Sequence, residues 1–234
     1  MKNVIKRLLP TKICAELSAR HAERCNRRVA FSQEGEDLVL LRYFDGEREG
    51  VYVDVGAHHP FRFSNTCLLH KQGWRGINID AMPGSMAMFN RFRPNDINLE
   101  LGVSTRHGSL DFFVFEEPAL NTFDIALCKE RQNAGWALHS TRTVQCRPLA
   151  EILEQEMPRL GTDKIDLLSV DVEGFDLDVL ESNDWARFSP RVIAIEILNK
   201  SLRGVMESDI VQYCMRRGYL PFSKLHHTVL LVQD

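Results

Sequence analysis

Val51-Tyr52-Val53-Asp54-Val55-Gly56-Ala57-His58-His59-Pro60 begins as a short β-branched, apolar run and ends in an acid, a glycine and a polar loop. The run has the composition of a strand buried on both faces. A helix is expected to open at Ser64, a good N-cap residue followed by Asn65 and Thr66. Strand, tight turn and helix in this order place a nucleotide-like ligand over the carboxyl end of a parallel sheet. Gly56 lets the backbone approach such a ligand, and Asp54 can accept hydrogen bonds from a cation or a hydroxyl.

Outward from this stretch, the chain reads as alternating strands and helices. Gly76-Ile77-Asn78-Ile79-Asp80 is a second strand ending in an acid, 24 residues after Gly56. That is close to the spacing at which an acid on the second strand meets ribose hydroxyls. Pro83 starts a further helix through Met86, Phe89 and Phe92, and residues 97–103 form a third strand. Residues 109–115 read as an extra strand, and residues 116–142 as a loop-rich insertion. Ile165-Asp166-Leu167-Leu168-Ser169-Val170-Asp171-Val172-Glu173-Gly174 repeats the apolar-strand, acid and glycine pattern. Residues 192–197 add a buried strand with Glu196 near its end, and the segments at 219–222 and 228–232 pair to close the sheet. The expected fold class is α/β, a mostly parallel sheet with helices on both faces.

Composition narrows the function. The 234 residues suit one substantial domain, residues 31–234, behind a basic helical leader, residues 1–30. A net charge of −3 gives no reason to expect a nucleic-acid partner. The leader carries a net +6, so the remainder carries −9. With Val4, Ile5, Leu8 and Leu9 interleaved, the leader could rest weakly on an anionic membrane surface; a solvated basic helix is the plainer reading. No apolar run reaches the roughly 20 residues of a membrane span. Six scattered cysteines without a CxxC pair argue against a zinc cluster or disulfide framework, and the cytoplasm is the expected compartment.

The phosphate-gripping GxxxxGK[ST] is absent, and so is GxGxxG, because Ala57, His58, His59 and Pro60 follow Gly56. Pro60 also removes a backbone donor that a pyrophosphate would use. A ligand with a ribose but no phosphate fits better, and S-adenosylmethionine, with its sulfonium and amino acid, suits acidic strand ends.

Four segments carry a family resemblance: residues 32–37 (Ser-Gln-Glu-Gly-Glu-Asp), 53–57 (Val-Asp-Val-Gly-Ala), 78–81 (Asn-Ile-Asp-Ala) and 168–174 (Leu-Ser-Val-Asp-Val-Glu-Gly). In this order and spacing the chain resembles the FkbM family of S-adenosylmethionine-dependent methyltransferases. The resemblance implies a Rossmann-like class I methyltransferase fold with a seven-stranded sheet and an antiparallel last strand. It implies methyl transfer to a hydroxyl, often on a sugar, polyketide-like or glycolipid acceptor. By this carry-over Asp54 and Gly56 face the methionine part of the cofactor, with Gln33 and Asn65 as neighbours. Asp80 holds the ribose, Met82 packs on adenine and Ser104 lies near its edge. Where family members commonly continue with Asn and Gly, this chain has His58 and His59.

Methyl transfer needs an aligned acceptor and a route for its proton. Asp171 and Glu173 are the leading candidates for that base, with Asp171 also beside the cofactor; Glu196 could join them. The same three carboxylates could instead hold Mg²⁺ through oxygens. In isolation Asp-x-Glu-Gly is more often a helix cap plus an exposed first-turn acid; its place at a buried strand end favours function. His58 and His59 lie where a ligand must be approached, and His58 is the candidate to contact acceptor or cofactor. Phe112, Phe113 and Phe115 read as core. Two rival functions stay open, a non-catalytic S-adenosylmethionine-binding module and a nicotinamide-dependent oxidoreductase.

Overall fold

A computed structural model of the chain describes residues 11–198 and 201–234. The chain divides into two compact units, Met1–Ala30 and Phe31–Asp234. In the first, α1 (Thr11–Asn26) is a largely exposed helix with Arg24 in its last turn. Its Arg20 and Glu16 form an exposed ion pair at 2.8 Å. Val4, Ile5, Leu8 and Leu9, on which the membrane-surface expectation turned, lie outside the described residues.

The second unit is built on a seven-stranded sheet. Its strands are β1 (Val51–Val55), β2 (Arg75–Asp80), β3 (Ile97–Glu100), β7 (Leu167–Val170), β8 (Val192–Glu196), β9 (Tyr219–Lys224) and β10 (Thr228–Gln233), in the order β3-β2-β1-β7-β8-β10-β9. β1 pairs in parallel with both β2 and β7, and β10 runs antiparallel to β8 and β9. The mostly parallel sheet with an antiparallel last strand is the fold the sequence pointed to.

Burial on both faces explains the apolar runs. One face packs Val53, Val55, Ile77, Ile79, Leu168 and Ile193 against helices α6 (Leu149–Leu160), α7 (Asp176–Glu181) and α9 (Asp209–Met215). The other packs Tyr52, Leu167, Val192 and Ala194 against Leu40 of α2 (Glu36–Tyr43) and Leu69 of α3 (Cys67–Lys71). Each such aliphatic side chain contributes about 1.5–3 kcal/mol by leaving water, which outweighs the weak local propensity of five-residue strands. In α6 Leu149, Ile152, Leu153 and Met157 are all buried, as their helical spacing requires.

Three expectations need correction. The helix expected at Ser64 starts instead at Cys67, because the Ser64 and Thr66 hydroxyls serve buried partners: Ser64 accepts from Arg93 at 2.9 Å and Thr66 donates to Asp54 at 2.7 Å. The strand read over 97–103 breaks at Leu101; β3 stays in the main sheet, while β4 (Gly102–Val103) joins β6 (Leu138–Arg147) and β5 (Gly108–Phe115) in a second, three-stranded sheet. Residues 116–142 are not loop-rich. They hold a 3₁₀ turn (Pro118–Leu120), helix α5 (Ile125–Asn133) and half of β6. α5 is capped by Asp124, whose carboxylate accepts from the Ala126 and Leu127 amides, a cap that the polar composition of the segment hid.

Candidate active site

The carboxyl ends of β2, β1 and β7 open onto one cavity of about 340 Å³. β1 contributes Gly56 beyond its end. Its φ is +81°, and a Cβ there would stand 1.8 Å from the Asp171 carbonyl oxygen, so glycine alone allows the β1 and β7 ends to meet. The Asp171 amide in turn donates to the Val55 carbonyl at 3.0 Å.

From β2, Asp80 faces the cavity. Its two oxygens accept from the His58 amide and the Met82 amide, each at 2.8 Å, which fixes the carboxylate yet leaves lone pairs for a ligand's hydroxyls. Burial raises its pKa, and the amide bonds pull the other way. Beside it, Met82 packs with Phe123 against Phe112, Val114 and Val144 of the small sheet. Met82, Leu101, Val103, Phe112 and Phe123 thus form an apolar wall of the cavity. Phe112 is core and lining at once, a role the sequence reading gave it only in part.

Gln33 reaches the cavity because the loop before α2 is tied by its own acids. Asp37 accepts from the Phe31 amide and the Ser32 hydroxyl, both at 2.7 Å, and Glu36 accepts from the Glu34 amide and the Thr228 hydroxyl, both at 2.9 Å. Both acids are buried in the first turn of α2, and from there they hold the loop that precedes it.

Beyond β7, the turn is closed by Asp176, whose carboxylate accepts from the Val172 and Gly174 amides. That leaves Asp171 and Glu173 free to face the cavity. Glu173 adopts φ 53°, and two groups of the insertion grip it: the Thr122 hydroxyl donates to its carbonyl at 2.6 Å, and Arg131 donates to its carboxylate. The carboxylates of Asp171, Glu173 and Glu196 offer oxygens that all lie within 4.8 Å of one another. Burial, then repulsion from Glu196 and Glu173, drives the pKa of Asp171 far up. Burial and the same crowding push Glu196 to about 8. Burial raises Glu173 while Arg131 opposes it. The three oxygens are close enough to share a cation, and the positive charge that the fold itself brings to them is the Arg131 guanidinium on Glu173.

Among the described residues, the non-glycine positions with left-handed backbone are His58, Phe63 and Glu173, with φ of 53°, 55° and 53°, and all three line the cavity. Such conformations cost about 1–3 kcal/mol each and persist where surrounding structure enforces them. His58 has a buried Nε2 without a hydrogen-bond partner. Burial, helped by the charge of Arg62, lowers its pKa and keeps the imidazole neutral.

Of the residues singled out from sequence, Gln33, Gly56, His58, Asp80, Met82, Asp171 and Glu173 meet at the cavity. Asp54, Asn65 and Ser104 do not line it. Asp54 shares a strand face with Tyr52 and sits in a buried polar network, with its pKa raised by burial and opposed by the Thr66 bond. Asn65 donates to Ser169 at 3.3 Å, and the Ser104 hydroxyl accepts from the Arg106 amide at 3.3 Å. The centre of the network is Arg93, only 1% exposed, which sequence reasoning passed over. It donates to the Pro60 carbonyl, Ser64, Thr66 and Asn78 at 2.7–3.2 Å, pinning the loop behind the cavity.

A seven-stranded sheet in this order, with an acid-lined cavity on the carboxyl edge at the β1 glycine turn, defines a Rossmann-like α/β fold with its ligand edge at β1. The family model described as "Methyltransferase FkbM domain" matches residues 54–221, and the chain belongs to that family. Among solved structures it is similar to Methyltransferase FkbM from Methylobacillus flagellatus KT, with 13% identity and a TM-score of 0.50 over 86% of this chain and 48% of that one. The chain thus spans about half the length of that neighbour. A second match is Precorrin-6y C5,15-methyltransferase from Geobacter metallireducens GS-15, with 10% identity and a TM-score of 0.42, covering 84% of this chain and 88% of that chain. A search of curated proteins finds no match. No helix among the described residues is long and apolar enough to cross a membrane.

Proposed function

We propose that the chain methylates a hydroxyl of a saccharide or glycolipid-like acceptor with S-adenosylmethionine as the methyl donor. The observation that carries this reading is the convergence of Asp80, Asp171 and Glu173 from neighbouring strand ends on one cavity with a partly apolar wall. The lining suits an adenosine without phosphates: Asp80 is poised for ribose hydroxyls, the Met82–Phe112–Phe123 wall for adenine, and Gly56 and Gln33 for the methionine part. The unpartnered Nε2 of His58 is a further polar group left for a ligand. When bound, S-adenosylmethionine supplies a methyl group on a positively charged sulfur.

The chain's own residues orient the acceptor and receive its proton. A carboxylate with a raised pKa is a stronger base than one in water, which suits Asp171 and Glu173 to taking a proton from a hydroxyl. Arg131 is ion-paired to Glu173 and its charge favours the carboxylate form, so Glu173 is assigned as the base, with Asp171 orienting the acceptor or the cofactor's cationic end. His58, neutral, serves as a hydrogen-bond partner to the acceptor.

The test is incubation of the purified chain with S-adenosylmethionine and a panel of envelope saccharides and glycolipids, read by mass spectrometry. Gain of one methyl group on an oxygen, abolished by Glu173→Gln, is expected. Transfer to nitrogen or carbon, or undiminished transfer by Glu173→Gln, contradicts the reading.

A further inference from the structure

Two loops far apart in sequence meet at the rim of the cavity. Arg62 donates to Glu117 at 2.9 Å, with side chains 45% and 37% exposed, so the pair lies at the solvent margin. His58, His59, Arg62 and Phe63 line the cavity from one loop, and Pro118, Ala119 and Asn121 line it from the other. Glu117 itself does not line the cavity. It accepts from the Ala119 amide at 3.3 Å and so orders the turn that does.

Behind the ion pair runs a continuous stack. The Arg62 guanidinium lies 4.4 Å from the centre of the Phe63 ring, and Phe63 stacks on His58 at 6.2 Å and 21°. The His58 amide donates to Asp80. A contact at the outer rim is thereby connected, through two left-handed residues, to the acid assigned to the ribose. Left-handed non-glycine backbone is costly and needs outside support. Arg93 holds the loop from behind through Pro60, and Arg62 holds it from the front.

We propose that the Arg62–Glu117 pair is a latch that holds the 58–63 loop against the 117–121 turn across the cavity and sets how fast its ligand is released. Arg62 and Glu117 are positioning residues: they act through His58 and Asp80 and not on the reacting atoms. A ligand that engages His58 and Asp80 steadies the loop, and by linkage the closed loop retains the ligand. The release role rests on S-adenosylmethionine being that ligand; the coupling of the two loops does not.

The test compares the wild-type chain with Arg62→Ala, Glu117→Ala and the charge exchange R62E/E117R. Hydrogen exchange of the ligand-free protein over residues 58–63 and 115–121 is measured, together with the release rate of S-adenosylmethionine in a chase. An exposed ion pair predicts changes of about two- to fivefold. Either single variant is expected to speed exchange in both loops and speed release, with the charge exchange returning both close to wild type. High salt should do to the wild type what Glu117→Ala does at low salt. Unchanged release in Glu117→Ala alongside weaker binding in Arg62→Ala overturns the latch and makes Arg62 a direct ligand contact. Exchange that rises only in the substituted loop also overturns it. A wild-type chain that binds no S-adenosylmethionine sinks the cofactor assignment, and the exchange measurement then decides the latch alone.

Discussion

The Arg131 guanidinium donates to the Glu173 carboxylate across 42 residues of chain. The helix that carries Arg131 lies in the insertion, while Glu173 lies in the turn after a central strand. The insertion thus supplies a positive charge to a crowded set of half-buried acids, and its Thr122 hydroxyl also grips the Glu173 carbonyl, where the backbone is left-handed.

Removing that charge leaves Glu173 half-buried beside other acids without its cation. Arg131→Ala is expected to raise the Glu173 pKa, move the activity profile to higher pH and destabilise the fold by about 3 kcal/mol. A pH–rate profile with a denaturation midpoint checks this. A profile that stays in place would show that Glu173 is not the titrating base.

Glu196 predicts an unusual stability profile. Its pKa in the fold is about 8 against 4.5 for an ordinary glutamate, so between those values the folded chain holds a proton that the unfolded chain has lost. Stability then falls as pH rises through this window, at up to about 1 kcal/mol per pH unit. Asp176, at about 6, adds to the slope at its lower end. Glu196→Gln should flatten the curve between pH 6 and pH 8, as read from urea midpoints across pH. An equally steep variant contradicts the assignment.

Arg93 is the positive centre of a buried network that includes Tyr52, whose hydroxyl donates to Asp96 at 2.5 Å. Arg93→Met leaves Asp54 and Asp96 buried without it. The expected cost is about 3–5 kcal/mol, which lowers the melting temperature by roughly 10 °C in a domain of this size. Thermal unfolding followed by circular dichroism is sufficient to measure it.

Gly56→Ala places a methyl group on the Asp171 carbonyl and forces φ +81° on a residue with a Cβ. The β1 and β7 ends must part, so the cavity should lose ligand binding even where the sheet still folds. Gly84→Ala is the control: its φ is +89°, yet nothing stands within 4 Å of the added atom, so only the backbone cost remains.

Much of this architecture was legible because central parallel strands are buried on both faces and so appear as apolar runs ending in acids. That same burial hid the side on which Asp54 points. A strand reveals its faces through contrast between alternate residues, and Tyr52, Val53, Asp54 and Val55 are all buried. Arg93, between a helix and a strand, was passed over because its acceptors come from separate segments that only the fold assembles. The helix of Arg131 escaped notice because Ile-Ala-Leu-Cys-Lys-Glu-Arg-Gln-Asn has no apolar stripe of helical period. Gly56, Asp80, Asp171 and Glu173 were legible because each ends or follows a strand, where the ligand edge of such a sheet lies.

Calorimetric titration of S-adenosylmethionine into the wild-type chain and Asp80→Ala tests the central claim most directly. The account predicts one binding site in the wild type and an affinity lowered by roughly tenfold or more when the charged acceptor is removed. No binding to the wild type, or equal affinity in the variant, would contradict it.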